Sequence, residues 1–298
     1  MDLFVLLSST PRILRVVTTR DLQDDLEEEF RRQISSFTHN KADVPFDARY
    51  RPDDDELLVI EGFDDIDGVI AAVRSPQDTN TWQPSEEGLG AIKGIFGGFT
   101  DNGVTTVMIQ AFDRRQAITA GKFALFFDND TFRRLGGIGI TLDNKPTAIL
   151  SQATTDNALT QLRFVSLHNT RRLFEMDAYY HESTKEEIES FFNEDKFHGF
   201  NSVWLDANID NWIRKKVTFI NQEGILDACT PEELRTAAAG FDIEIGVHEN
   251  GGQMKLVFPD DKKGLKALLR FLDEDIYQSP ISGNRFQTNS KRKIAAQP

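Results

Sequence analysis

Apolar residues recur in this chain with two different periods, and the change from one to the other constrains its fold most. In the first half they come as strand-length runs: Ile13 to Thr18 (ILRVVT), Leu57 to Ile60 (LLVI), Val104 to Phe112 (VTTVMIQAF) and Gly121 to Phe127 (GKFALFF). Gly139 to Leu142 and Ala148 to Gln152 are shorter runs of the same kind. β-Branched and aromatic runs bounded by turn residues read as strands. In the second half the spacing is helical, as in Ile209, Ile213, Val217 and Ile220, or Leu265, Leu268, Leu269 and Leu272. The expected class is α+β, with a mostly β N-terminal half built on an antiparallel sheet and a helix-rich C-terminal half with one β-hairpin. The two domains are expected at residues 1–150 and 151–298.

Local signals fill in this outline. Leu22, Leu26, Phe30 and Ile34 mark one face of a helix over Asp21 to Ile34, with Thr18 or Thr19 as its N-cap. Residues 75–103 carry Ser75–Pro76, Gln83–Pro84 and glycines from Gly88 to Gly98, and read as a long irregular connection. Gln161 to His181 shows helix-spaced Leu173, Met176 and Tyr180. Thr184 with Glu187, and Thr230 with Glu233, fit capping boxes, the second with Pro231 at the first helical position and Gly240 as its stop. Glu249 to Gly252 (ENGG), between Phe241–Val247 and Gln253–Phe258, is a hairpin signal.

Composition excludes several classes of function. The chain has 34 basic and 48 acidic residues, a formal charge of −14. Residues 1–75 are the most acidic part, with 17 acids and 9 bases. Nucleic acid could be bound only through a local basic patch. No stretch approaches the ~18 apolar residues that span a bilayer. The start, MDLFVLLSSTPRILR, lacks a basic region ahead of its apolar patch, which argues against a secretory signal. A single Cys229 leaves no internal disulfide and no Cys-based zinc site. A cytoplasmic location is expected.

Catalytic signatures are sparse. There is no P-loop, no G-x-S-x-G and no H-E-x-x-H. Gly90 to Gly94, Gly97–Gly98 and Gly136 to Gly139 read as turns. The acidic groups Asp53 to Glu56 and Asp64, Asp65 and Asp67 read as solvated surface, and Cys229 as a small apolar filler. One constellation suggests an enzyme. Asp242 on the first strand of the predicted hairpin and Lys255 on the second resemble a restriction-type nuclease core. Asp242 would bind Mg²⁺, Glu244 would stand in for the missing second ligand, and Lys255 would orient the attacking water. Ordinary exposed strand residues are the plainer reading, and no cofactor is expected.

Basic residues point elsewhere. Arg114–Arg115, Arg133–Arg134 and Arg171–Arg172 are isolated pairs, while Arg214, Lys215 and Lys216 interrupt an apolar helix face. Lys262, Lys263 and Lys266 fall at the start of the last predicted helix, where the helix dipole disfavours cations. The tail from Arg285 through Lys291, Arg292 and Lys293 adds four positive charges and no acid. Such local charge is the footprint of phosphate binding. No base-reading motif is present, so contacts would be to backbone and shape.

The C-terminal half also resembles a known family. Phe164 to Tyr180 (FVSLHNTRRLFEMDAYY), Ile225–Leu226, Lys263 to Asp275 (KGLKALLRFLDED), Ser279 to Gly283 (SPISG) and Asn289 to Arg292 (NSKR) together resemble the KwaB-like family. That family supplies the soluble component of the bacterial Kiwa anti-phage system. The resemblance implies a DNA-binding effector that works with a small membrane-spanning partner at the inner membrane and obstructs phage DNA replication or expression. It transfers no catalytic motif. The leading expectation is a non-enzymatic homodimer binding double-stranded DNA without sequence preference. The alternatives are the Mg²⁺-dependent nuclease and a protein-interaction adaptor whose acidic N-terminal half docks a basic juxtamembrane surface.

Overall fold

The computed structural model describes the chain apart from residues 11, 83–87, 113–122, 129–130, 134–138, 194 and 293–298. The fold is α+β, with a large sheet in the first part and helices in the second. It divides into two units, Met1–Glu175 and Met176–Pro298. The break lies beyond residue 150 because two strands between 148 and 164 complete the first unit's sheet.

The first unit runs β1 (Leu3–Leu7), β2 (Ile13–Val16), α1 (Arg20–Thr38), β3 (Ala42–Pro45), β4 (Glu56–Glu61), α2 (Val69–Arg74), β5 (Ile92–Asp101) and β6 (Val104–Ala111). It continues with β7 (Phe123–Asp128), β8 (Thr131–Arg133), β9 (Gly139–Leu142), β10 (Ala148–Ala153), β11 (Gln161–Phe164) and α3 (Leu167–Thr170). Eight strands form one sheet in the order β2-β1-β5-β6-β10-β11-β4-β3. Its pairs are antiparallel except β3 with β4. The strands between β6 and β10 form a separate sheet, β8-β7-β9. Helix α1 buries Leu22, Leu26 and Phe30 on Leu3, Val5, Ile95 and Met108, as the helical spacing predicts. On the other face Phe4 stacks on Phe96 at 5.0 Å.

Three sequence expectations fail here, for steric, periodic and hydrogen-bonding reasons in turn. The glycine-rich stretch is not a connection, since β5 is a ten-residue strand in the middle of the sheet. A Cβ at Gly98 would lie 2.3 Å from the Thr106 carbonyl oxygen, and one at Gly97 2.9 Å from the Phe30 ring. These glycines allow close approach of neighbouring elements; they are not turn formers. Gln161 to His181 is not one helix either, since it opens with strand β11 and only α3 within it is helical. Leu162 and Phe164 are buried and alternate with half-exposed Gln161 and Arg163, a period of two, and Arg163 reaches Asp43 at 2.8 Å. Nor is Asp65 simply solvated. Its carboxylate accepts from the Val69 and Ile70 backbone N–H groups at 3.0 and 2.8 Å, and burial raises its pKa against those bonds.

The second unit runs α4 (Lys185–Phe191), β12 (Phe197–His198), α5 (Ser202–Asn208), α6 (Asn211–Glu223), α7 (Ile225–Ala228) and α8 (Pro231–Ala239). After these come β13 (Val247–Asn250), β14 (Gln253–Val257), α9 (Lys262–Leu272), β15 (Ile276–Gln278) and β16 (Arg285–Gln287). Both capping boxes form, Thr184 with Glu187 and Thr230 with Glu233. The expected hairpin is β13–β14, turned by Gly251 (φ 61°) and Gly252 (φ 83°), with β12 added parallel to β14. The core centres on Phe192, whose ring lies 4.7, 5.1 and 5.3 Å from those of Phe191, Phe197 and Phe258. Cys229 packs half-buried against this core. Helices α6 and α9 bury Ile213, Val217 and Ile220, and Leu265, Leu268, Leu269 and Leu272, in the same core. The two helices pack on each other, which sets their polar faces side by side. Among the described residues no helix is long and apolar enough to cross a membrane.

Candidate nucleic-acid interface

The site follows from the packing of α9 on α6. Leu265, Leu268, Leu269 and Leu272 take one face of α9, so Lys262, Lys266 and Arg270 fall on another at i, i+4 and i+8. Residues four apart stand one above the other on a helix, so the three cations form a stripe. Trp212, in the first turn of α6, lies beside it. Lys266 Nζ is 5.2 Å and Arg270 Cζ 5.3 Å from the indole centroid, and Lys216 Nζ approaches it to 5.7 Å. These distances are within cation–π range.

One carboxylate faces the stripe. Asp210 caps α6, accepting from the Ile213 N–H at 3.0 Å, and lies 3.1 Å from Lys262 Nζ and 3.0 Å from Lys266 Nζ. Burial pushes its pKa up, but the Ile213 N–H and the two lysines outweigh burial and hold it at about 2. Because the folded value lies below the ordinary 3.8, Asp210 stabilises the fold above about pH 4 and loses that contribution as pH falls towards 2. Urea midpoints of the wild type should therefore drop more steeply over this range than those of Asp210→Asn, which keeps a capping side chain. Parallel curves would mean that the two lysines do not hold the carboxylate.

The other candidates have separate fates. Lys216 is only 12% exposed and bonds the nearly buried Asp273 and Asp275, the latter at 2.6 Å. Lys291 lies 3.2 Å from Asp273 and 3.3 Å from Asp275. Both lysines therefore neutralise internal carboxylates and do not face a free phosphate site. Arg214 Nη1 donates to the Ser183 carbonyl at 2.9 Å, and Lys215 sits 3.8 Å from Glu182. Lys263 is exposed, and Arg292 is exposed near the end of the described chain. Lys293, Arg114, Arg115 and Gly136–Gly137 lie outside the described residues. Arg270 was not a sequence candidate. Its position, four residues beyond Lys266 on the same helix, was the available signal. Among the described residues it has no carboxylate partner, only the Trp212 ring.

The nuclease arrangement is not formed. Asp242 lies in the turn after α8 with φ 57°, and Glu244 lies in the stretch before β13, so neither is on a strand of the hairpin. Asp242 is bound by Arg285. Lys255 is on β14 opposite His248, whose ring stacks on His198 at 3.7 Å. The strand expectation failed because α8 ends in a turn that uses Phe241 and Asp242, whose N–H groups donate to the Ala238 and Ala239 carbonyls. Among the described residues no group of three or more His, Cys, Asp or Glu side chains is placed to hold a metal ion.

The stripe has to act locally, because the unit around it is acidic. Residues 176–298 still carry 21 acids against 15 bases. Within the stripe three cations meet one carboxylate, a net of two positive charges beside an aromatic ring. That arrangement can hold the phosphates of a polyanion, with no group placed to read bases. Comparison with protein-family models, curated proteins and solved structures finds no match for the chain.

Proposed function

We propose that the chain is a non-enzymatic anti-phage defence protein that binds double-stranded DNA without sequence preference, using the Lys262, Lys266 and Arg270 stripe for phosphate contact. The observation that carries the DNA-binding reading is the excess charge of that stripe, above all Arg270, which lies on the Trp212 ring with no carboxylate partner among the described residues. The defence role and the membrane-spanning partner are supported by the resemblance to the KwaB-like family. Binding is electrostatic and displaces counterions, so affinity falls with salt. Fluorescence anisotropy with two unrelated duplexes, between about 50 and 200 mM salt, tests this. Similar affinities that fall steeply with salt are expected. No binding at the lowest salt would overturn the reading.

A further inference from the structure

Beyond the stripe, the chain builds a second exposed feature with its own chemistry. β15 and β16 pair as an antiparallel ribbon, Ile276 with Gln287, Tyr277 with Phe286 and Gln278 with Arg285, and among the described residues join no other strand. A two-stranded ribbon is normally stabilised by packing its apolar face. This one leaves its apolar groups in solvent. Tyr277 and Phe286 stack at 5.4 Å, each nearly half exposed, and Ile281 in the connecting loop is 97% exposed.

The loop is held in shape. Ser279 N–H donates to the Asn284 carbonyl and Gly283 N–H to the Ser279 carbonyl, both at 2.9 Å. Gln278 Nε2 donates to the Gly283 carbonyl at 2.8 Å, and Ser279 Oγ accepts from the Ile281 and Ser282 N–H groups at 3.3 and 3.2 Å. Gly283 takes φ 70° to close the turn. Exposed Pro280 and Ile281 are thus presented by an ordered tip.

The side chains of the ribbon itself are polar or basic, Gln278, Asn284, Arg285 and Gln287, with Asn289 on its flank, and the one carboxylate bound to them among the described residues is Asp242 on Arg285. Arg, Asn and Gln are the residues that read the minor groove, and Ile and Pro are among those that wedge between base steps and kink a duplex. We infer that the β15–β16 ribbon enters the minor groove of duplex DNA and inserts Ile281 between two base pairs, bending the DNA bound by the α9 stripe. This inference rests on the DNA-binding reading above. Arg285 exchanges Asp242 for the nucleic acid on entry. A lipid surface fits less well, because the tip offers only Ile281 and the Pro280 ring among Ser279, Ser282 and Asn284, whereas the amide side chains match base edges.

Energy transfer between dyes on the ends of a duplex of about 30 base pairs measures the bend. Transfer should rise when the wild type binds. Ile281→Ser, at a position too exposed to affect folding, should bind with affinity within about threefold yet leave transfer near that of free DNA. Wild-type binding without a change in transfer, or equal bending by Ile281→Ser, would overturn the wedge while leaving the DNA-binding reading intact. Failure of the wild type to bind any duplex would overturn that reading itself. Co-sedimentation with phosphatidylcholine–phosphatidylserine vesicles that is lost in Ile281→Ser would assign the tip to lipid and overturn the groove.

Discussion

Lys216→Met is expected to cost the Met176–Pro298 unit about 3–5 kcal/mol at neutral pH, the range for stripping one partner from a buried ion pair. Lys216 lies between two carboxylates that are almost wholly removed from water, Asp273 at 1% and Asp275 at 4% side-chain exposure. Burial raises the Asp273 pKa even with Lys216 and Lys291 opposing it. Without Lys216, Lys291 alone would face both charges. The folded variant would relieve this by taking up a proton, so Asp273 would titrate at higher pH than in the wild type. A group with a raised folded value stabilises the fold only when protonated, so the difference between variant and wild type should be greatest near neutrality and shrink on acidification. Urea unfolding at about pH 7 and about pH 4.5 tests both the size and the sign. Lys215→Met, at a half-exposed neighbour, should shift stability by less than about 0.5 kcal/mol. A cost below about 1 kcal/mol for Lys216→Met would show that the carboxylates are solvated. If the full cost appears, weaker DNA binding by a Lys216 variant cannot be read as a lost phosphate contact.

The elements legible in the sequence were those whose signal is local. The α1 face, both capping boxes, the Gly251–Gly252 hairpin and the leucine face of α9 depend on residues a few positions apart. What could not be read depends on distant partners. Gly97 and Gly98 look like turn formers until Phe30 and Thr106, brought close by the sheet, explain them. Leu173, Met176 and Tyr180 keep helical spacing, yet Leu162 and Phe164 before them lie on a strand that β10 and β4 flank on both sides. The site shows the same division. Lys262 and Lys266 stood out because helix starts disfavour cations, a local rule. Lys216 and Lys291 looked equally available, since only the fold brings Asp273 and Asp275 to them. Arg270 carries no such local signal, because a cation near a helix end is ordinary. It matters only beside Trp212, about 58 residues earlier in the chain.

The stripe itself yields the second large effect. Lys262→Ala, Lys266→Ala and Arg270→Ala combined should make the dependence of log affinity on log salt shallower by about 2–3, since each phosphate contact contributes about 0.9. Over the same salt range affinity should fall by roughly ten- to a thousandfold, and equally for unrelated duplexes. The leucines that anchor α9 are untouched, and circular dichroism checks that the helix content is retained. Lost charge alone does not separate this site from a general weakening of a protein that is already acidic, so the carboxylate provides a test of opposite sign. Asp210 offsets one of the three cations, and Asp210→Asn keeps the cap on α6 while removing that charge. Affinity should then rise severalfold and the salt dependence steepen by about one. A distant acid such as Glu232 of α8, changed to Gln, should do neither. Wild-type binding by the triple variant, or weaker binding by Asp210→Asn, would place the phosphate contacts on another face. Opposite responses at neighbouring positions would instead locate them on α9, because only a polyanion in contact with the stripe would respond to both changes in opposite directions.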